Sequence, residues 1–188
     1  TGGTTTAPEG TASLAGLTLS LADLPAGVTV EREGYGEPDA DVLARFSREF
    51  DLGTTKLGGS QLSSLEAEVE LYEQESDATA TLLGTEALLS GAGGKELFAS
   101  GFTGEAGFSP ENLELKVLDR ARVGDASVFV FATFDTPGGG FDSLFVYVRV
   151  GRTLGTLYAT ATKGRLKVAD VAALAEKMAD RMASPIEA

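Results

Sequence analysis

The alternation of apolar and polar residues is strongest in the second half of the chain. Four segments are rich in β-branched and aromatic residues and are separated by Gly or Asp turns: "LELKVLDR" (113–120), "SVFVFATFD" (127–135), "DSLFVYVRV" (142–150) and "TLGTLYATAT" (153–162). This pattern predicts four strands in an antiparallel meander. In "SVFVFATF" both alternating sets are largely apolar, which predicts a strand covered on both faces.

The first half mixes two periodicities. "LADLPAGVTV" predicts a short helical turn around Leu21 to Leu24 and then a strand, because Pro25 and Gly27 end the turn. "SLEAEVELYE" alternates strictly and predicts a strand with one face in water. In "EPDADVLARFSREFD", apolar residues at i, i+3 and i+7 predict an amphipathic helix capped by Asp39; they are Leu43, Phe46 and Phe50.

Two further segments have helical periodicity. Ala78, Leu82, Thr85 and Leu89 form one stripe after the acidic strand, and the C-terminal "LKVADVAALAEKMADRMA" presents a long apolar face. Residues 1–13 are mostly Gly, Thr, Ala and Ser and predict a flexible tether. The expected fold is a single α+β domain over residues 14–186, in which a central antiparallel sheet is packed by amphipathic helices.

Charge and composition narrow the function. The chain has 28 acidic and 15 basic residues, a formal net charge of −13, and neither Cys nor His. A strongly negative surface disfavours nucleic acid and anionic lipid headgroups, both of which are bound chiefly through Lys and Arg. Without Cys or His the chain has no thiol nucleophile, no Ser-His-Asp triad and none of the usual zinc sites. We therefore expect no nucleic-acid partner, no metal and no cofactor.

Two motifs have a simpler structural interpretation. "DTPGGGFD" (135–142) joins two predicted strands, and its Pro and glycines suit a hairpin turn better than a calcium or phosphate loop. Glu66, Glu68 and Glu70 share one strand face, where we expect a solvated row that protects a sheet edge. A hydrolase that uses only carboxylates stays open as an alternative, and it would need two carboxylates in a cleft with one pKa raised.

The Gly-rich segment 91–112 is the candidate ligand site. It predicts no regular structure apart from a helical turn at Lys95 to Ala99, and a loop this long is often a lid. Its three phenylalanines are costly to leave in water, so the loop should fold down. Phe98, Phe102 and Phe108 then either plug the end of the core or cover a pocket for an apolar ligand.

Four stretches carry a family resemblance: "LADLPAGVTVEREGY", "VGDASVFVFATF", "FVYVRVGRTLGTLYATA" and "LAEKMADRM". Across residues 14–183 the chain resembles bacterial extracytoplasmic domains, often lipoproteins, which include sensor-type domains of actinobacterial serine/threonine kinases. The resemblance implies an α+β domain that is secreted or lipid-anchored and has no known catalytic centre. Residues 1–13 would be the tether after a lipidated Cys, and this anchor would be the link to the membrane.

These observations favour an extracytoplasmic binding or sensing module over an enzyme. The expected partner is a cell-envelope protein or an apolar small molecule. The alternatives are a carrier of a lipid or other apolar ligand under the 91–112 segment, and the carboxylate-only hydrolase.

Overall fold

The computed structural model of the chain describes residues 6–7, 13–39, 41–91, 93–105 and 111–184; for residues 97 and 101–105 it describes the backbone alone. Seven strands form one antiparallel sheet in the spatial order β1-β2-β3-β7-β6-β5-β4. The strands are β1 (Thr29–Gly36), β2 (Val42–Asp51), β3 (Leu62–Tyr72), β4 (Glu111–Leu118), β5 (Ala126–Thr136), β6 (Gly139–Val150) and β7 (Thr153–Thr162). The helices are α1 (Glu75–Ser90), α2 (Gly93–Glu105) and α3 (Val168–Met182), and a 3₁₀ turn covers Leu21–Asp23.

The sheet consists of two meanders, β1–β3 and β4–β7, which join where β3 pairs with β7. The connection from β3 to β4 contains α1 and α2 and runs from the middle of the sheet to its far edge. This arrangement confirms the predicted α+β fold, the four strands of the second half and the C-terminal helix.

One face of the sheet, here called the α3 face, carries the larger core. Helix α3 packs on β6 and β7 with its apolar side, and the close contact at Gly155 lets Met178 and Met182 approach the β7 backbone. The segment before β1 adds buried leucines to the same core. Its position is fixed by two hydrogen bonds: the Leu14 N–H donates to the Tyr35 hydroxyl at 2.9 Å, and Arg48 donates to the carbonyl of Leu19.

The opposite face, here called the α1 face, is packed by α1 and α2 over β4–β7 and the end of β3. Ala78 and Leu82 of α1 are buried in a second cluster with Val128, Val130 and Leu154. Phe98 of α2 is buried with Ala132 and Phe134 in a third cluster. Strand β5 is therefore packed from both sides, as its apolar pattern predicts.

The "DTPGGGFD" loop is a hairpin turn. Thr136 pairs with Gly139 at the ends of β5 and β6, and Pro137 and Gly138 form the turn between them. The Gly138 N–H donates to the Thr136 hydroxyl at 3.0 Å, and Gly139 has a φ of 128°, a value that glycine adopts easily. The hairpin prediction is confirmed.

The helix predicted after Asp39 is wrong, because this segment is strand β2. Its core residues alternate as Ala44, Phe46 and Phe50, while Leu43 is 41% exposed. Asp39 caps no helix. Its carbonyl accepts the Val42 N–H at 3.0 Å in the turn before the strand. Strand pairing on both sides of β2 overrides the helical spacing of the three large apolar residues.

The prediction of an irregular segment at 91–112 is also wrong over most of its length, although the helical turn predicted at Lys95 to Ala99 does lie within a helix. Gly93–Glu105 is helix α2, although Gly93, Gly94, Gly101 and Gly104 all disfavour a helix. Packing of Phe98 onto the sheet stabilises the helix despite this composition. Residues 106–110, including Phe108, lie outside the described residues, as do residues 1–5 and 8–12 of the predicted tether.

Candidate functional site

Three carboxylates lie on the α1 face of the sheet. Glu66, Glu68 and Glu70 of β3, here called the carboxylate row, point to this face because side chains alternate along a strand. Strand register sets their neighbours. Glu66 pairs with Glu49 and Tyr158, Glu68 with Ser47 and Thr156, and Glu70 with Arg45 and Leu154. The row therefore runs along β3, flanked by β2 on one side and β7 on the other.

Glu70 is the structural member of the row. It is buried, and its Oε1 accepts two hydrogen bonds from the guanidinium of Arg45, the Nε–H bond being 2.8 Å long. Its Oε2 accepts the Tyr72 hydroxyl at 2.8 Å. Arg45 also donates to Asp39 at 2.6 Å. The Glu70 carboxylate is thus held by charge-assisted bonds, which satisfy both of its oxygens.

Glu68 is in a different situation. The distance from its Oε1 to the Arg45 Nε is 3.7 Å, longer than a hydrogen bond, and its side chain is 30% exposed. Partial burial raises the pKa of Glu68 to about 7, and the negative charges of Glu70, Glu66 and Asp39 act in the same direction, while Arg45 opposes them. Glu68 therefore changes its protonation near neutral pH.

Tyrosines of β6 and β7 border the row. Tyr147 pairs with Thr156, the residue next to Glu68, and burial together with the Glu68 charge raises the pKa of Tyr147 to about 12. Tyr158 pairs with Glu66 and packs on Phe145 with 4.7 Å between ring centroids. The site thus combines a half-exposed carboxylate with neighbouring aromatic rings. Carboxylates and aromatic faces both attract cations.

The sequence-based interpretation of the carboxylate row is wrong. Glu70 is buried and Glu68 is half-buried, so the row is not simply solvated, and β3 has a neighbour on each side instead of forming an edge. Alternation in "SLEAEVELYE" correctly predicts that the three side chains share a face. The prediction missed Arg45 as the partner of Glu70, because it placed Arg45 in a helix and not in the neighbouring strand.

The predicted phenylalanine site is described only in part. Phe98 is buried, and its ring packs edge-on against Phe134 and Phe145 with 5.5 Å between centroids in each pair. Phe102 lies on α2, but its side chain is not described, and Phe108 lies outside the described residues. The expectation that the three rings cover a ligand pocket stays a prediction.

In the described part of the chain, acidic side chains do not gather into a group of three or more with the geometry to hold a metal ion. Over the same residues, the helices are too short or too polar to cross a bilayer.

Comparisons with known proteins leave the family open. No protein-family model matches the chain, and no curated protein matches it. One similar solved structure is PA94 from Pseudomonas aeruginosa, described as a candidate regulator of unknown function. It is 13% identical, the match covers 86% of this chain and 97% of that chain, and the TM-score is 0.34. Similarity at this level carries no argument about function.

Proposed function

We propose that this protein is a non-catalytic binding module that holds a positively charged group of a partner protein on the carboxylate row. The observation that carries the proposal is the contrast between two neighbouring carboxylates. Glu70 is fully bonded to Arg45 and Tyr72, whereas Glu68 is partly exposed on the same face and lies 3.7 Å from its nearest cation. Glu68 is the member of the row with remaining capacity to accept a ligand.

A cation at Glu68 would relieve an unfavourable charge distribution. Glu66, Glu70 and Asp39 all repel the Glu68 carboxylate, and Arg45 compensates only partly because it is shared with Glu70 and Asp39. An ammonium or guanidinium group from a partner would supply the missing positive charge, and the rings of Tyr147 and Tyr158 border the position. The net charge of −13 would also attract a basic partner from a distance.

Isothermal titration calorimetry with a lysine- and arginine-rich peptide tests the proposal. Glu68→Gln should weaken binding about tenfold at pH near 8, since it removes one charge–charge contact. Glu73→Gln is the matched control, because it removes an equal charge at an exposed position just beyond β3. Equal losses for both variants would mean that the peptide responds to overall charge, and the proposed site would be wrong.

Proton release provides a second measurement in the same experiment. A bound cation stabilises the charged form of Glu68 and lowers its pKa from about 7, so binding near neutral pH should release on the order of half a proton. Titrations in buffers of different ionisation enthalpy measure this number directly. Glu68→Gln should abolish the release, and its persistence would assign the proton to another group.

We place the module outside the cytoplasmic membrane, as the family resemblance of residues 14–183 implies. Fractionation of cells that produce the complete natural protein tests this placement. Recovery in the cell-envelope fraction supports it, and recovery in the cytoplasm contradicts it.

The raised pKa of Glu68 also gives the hydrolase alternative a specific form. Glu66 and Glu68 lie two residues apart on one strand face, which separates their Cα atoms by roughly 6.6 Å. In this form Glu68 would be the acid and Glu66 the base that act on a glycosidic bond. Turnover of nitrophenyl glycosides that is lost in Glu68→Gln would favour this alternative over a binding module.

A further inference from the structure

Helix α1 has a second apolar side that faces away from the sheet. Its inner residues, Ala78 and Leu82, are buried against the sheet. On the outer side the exposed residues are Ala80, Leu83, Gly84, Ala87 and Leu88, and they recur at the spacing of one helical stripe. Leu83 and Leu88 are 57% and 45% exposed, the largest and the third-largest exposure among the large apolar residues that the structure describes.

This arrangement is unusual for a helix that lies on the surface of a domain. Surface helices normally place polar residues opposite their buried stripe, and a helix that is apolar on both sides normally has both sides covered. Here Thr79, Thr81 and Glu86 flank the outer stripe but do not interrupt it. We name Ala80, Leu83, Gly84, Ala87 and Leu88 the outer stripe.

The charges around the outer stripe indicate which kind of molecule could bind there. The surrounding segment, residues 73–96, has an acidic rim of Glu73, Asp77, Glu86 and Glu96, and its basic residue is Lys95. Glu75 does not belong to this rim, because it is paired with Arg149 of β6 at 2.7 Å. A second copy of the chain would bring the same negative rim and a net charge of −13 toward this one, so like charges oppose self-association. Anionic lipid headgroups would be repelled for the same reason.

We propose that the outer stripe is the docking site for a basic amphipathic helix of another protein. Such a helix would place its own apolar residues at i, i+3, i+4 and i+7 against Leu83 and Leu88, and its lysines or arginines toward the acidic rim. The small side chains of Ala80, Gly84 and Ala87 allow the two helix axes to approach to about 8 Å, the short end of the range for packed helices. The stripe spans residues 80–88, about 12 Å along the axis.

The test uses a labelled synthetic peptide of about 18 residues in which leucines form one helical face and lysines fill the other positions. Fluorescence anisotropy compares the wild-type chain with Leu83→Gln/Leu88→Gln. The matched control is Leu43→Gln, which removes a leucine of similar exposure from β2. We expect the double variant to bind the peptide at least about tenfold more weakly and the control to bind like wild type.

Two further measurements separate the competing explanations. A peptide with glutamates in place of the lysines should bind wild type at least about tenfold more weakly, because it meets the acidic rim with like charge. Leu83→Gln/Leu88→Gln should leave calorimetric binding of the lysine- and arginine-rich peptide used for the carboxylate row unchanged, so failure of the outer-stripe proposal is distinguishable from failure of the carboxylate-row proposal.

Several outcomes would overturn the inference. They are absence of binding to wild type, equal binding by the double variant and the control, or equal binding of the two peptides. Sedimentation that shows a dimer of the chain, lost in Leu83→Gln/Leu88→Gln, would identify a second copy as the occupant instead. Binding to neutral phosphatidylcholine vesicles that requires the two leucines would identify a lipid surface.

Discussion

Replacing Glu68 by Gln should stabilise the protein in a way that depends on pH. Partial burial raises the pKa of Glu68 from 4.5 to about 7, which means that the folded state binds this proton more tightly than the unfolded chain does. For this group, stability is therefore fully present below the unfolded pKa, falls as the pH rises from 4.5 to about 7, and stays constant above that. Gln carries no charge at any of these pH values and avoids the loss.

The structure gives the magnitude. At 1.36 kcal/mol for each unit of pKa, the rise from 4.5 to about 7 corresponds to an upper limit of about 3 kcal/mol. Because the side chain is 30% exposed, water screens part of this effect, and we expect about 1 to 2 kcal/mol at pH near 8. The substitution also removes the 3.7 Å contact with Arg45, but Arg45 keeps its bonds to Glu70 and Asp39.

Urea unfolding at a series of pH values measures the effect. The difference in free energy of unfolding between Glu68→Gln and wild type should increase from pH about 4.5 to 7 and then level off. The control Glu73→Gln removes one exposed negative charge and should change stability by no more than about 0.5 kcal/mol. A difference that is the same at every pH would refute the argument that burial of Glu68 controls its protonation.

Three other substitutions test individual packing features. Gly124→Ala should destabilise the protein by at least about 2 kcal/mol in thermal or urea unfolding. Gly124 has a φ of 63°, and a Cβ there would lie 2.7 Å from the Arg149 carbonyl oxygen. The control Gly53→Ala, at a φ of 51° with open space around it, should cost clearly less. Asp170→Ala should cost about 1 to 2 kcal/mol of stability, since Asp170 accepts the Gly59 N–H at 2.9 Å and the Ser60 hydroxyl at 2.7 Å. An unchanged midpoint of urea unfolding would contradict this contribution. Phe98→Ala should cost about 3 to 5 kcal/mol in urea unfolding, because the ring is buried with Ala132 and Phe134. Native mass spectrometry of the wild type tests the alternative, because a co-purified apolar molecule that dissociates on denaturation would favour the carrier.

The strands of the second half were predictable because almost every residue in them follows the pattern. Strand β2 was not, for a reason that its contacts make clear. Its α3-face positions are Ala44, Phe46, Arg48 and Phe50, so a charged residue interrupts the apolar alternation. Arg48 occupies this position because it donates to Glu33 at 2.6 Å and to a main-chain carbonyl. Both partners come from other segments, and no local pattern indicates them.

The candidate site was predictable only in outline. Alternation along β3 places Glu66, Glu68 and Glu70 on one face, but the difference between Glu68 and Glu70 depends on Arg45 in the neighbouring strand. Helix α2 was missed for a related reason. Its glycines give the segment a low intrinsic helix propensity, and the contacts of Phe98 with Phe134 and Phe145 compensate through residues distant in sequence.

The pairing of β3 with β7 has a consequence for the order of folding. Leu71 of β3 pairs with Thr153, and Leu62 pairs with Ala161, so the two meanders cannot join until synthesis has passed β7. Before that point β3 is an unpaired edge with a buried-type apolar side, and such edges promote aggregation. The long sequence separation also slows folding, because the chain must close a large loop before these contacts form. A nascent chain that ends before β7 should therefore form at most the separate β1–β3 and β4–β6 pairings, whereas completion of β7 allows the two halves to join.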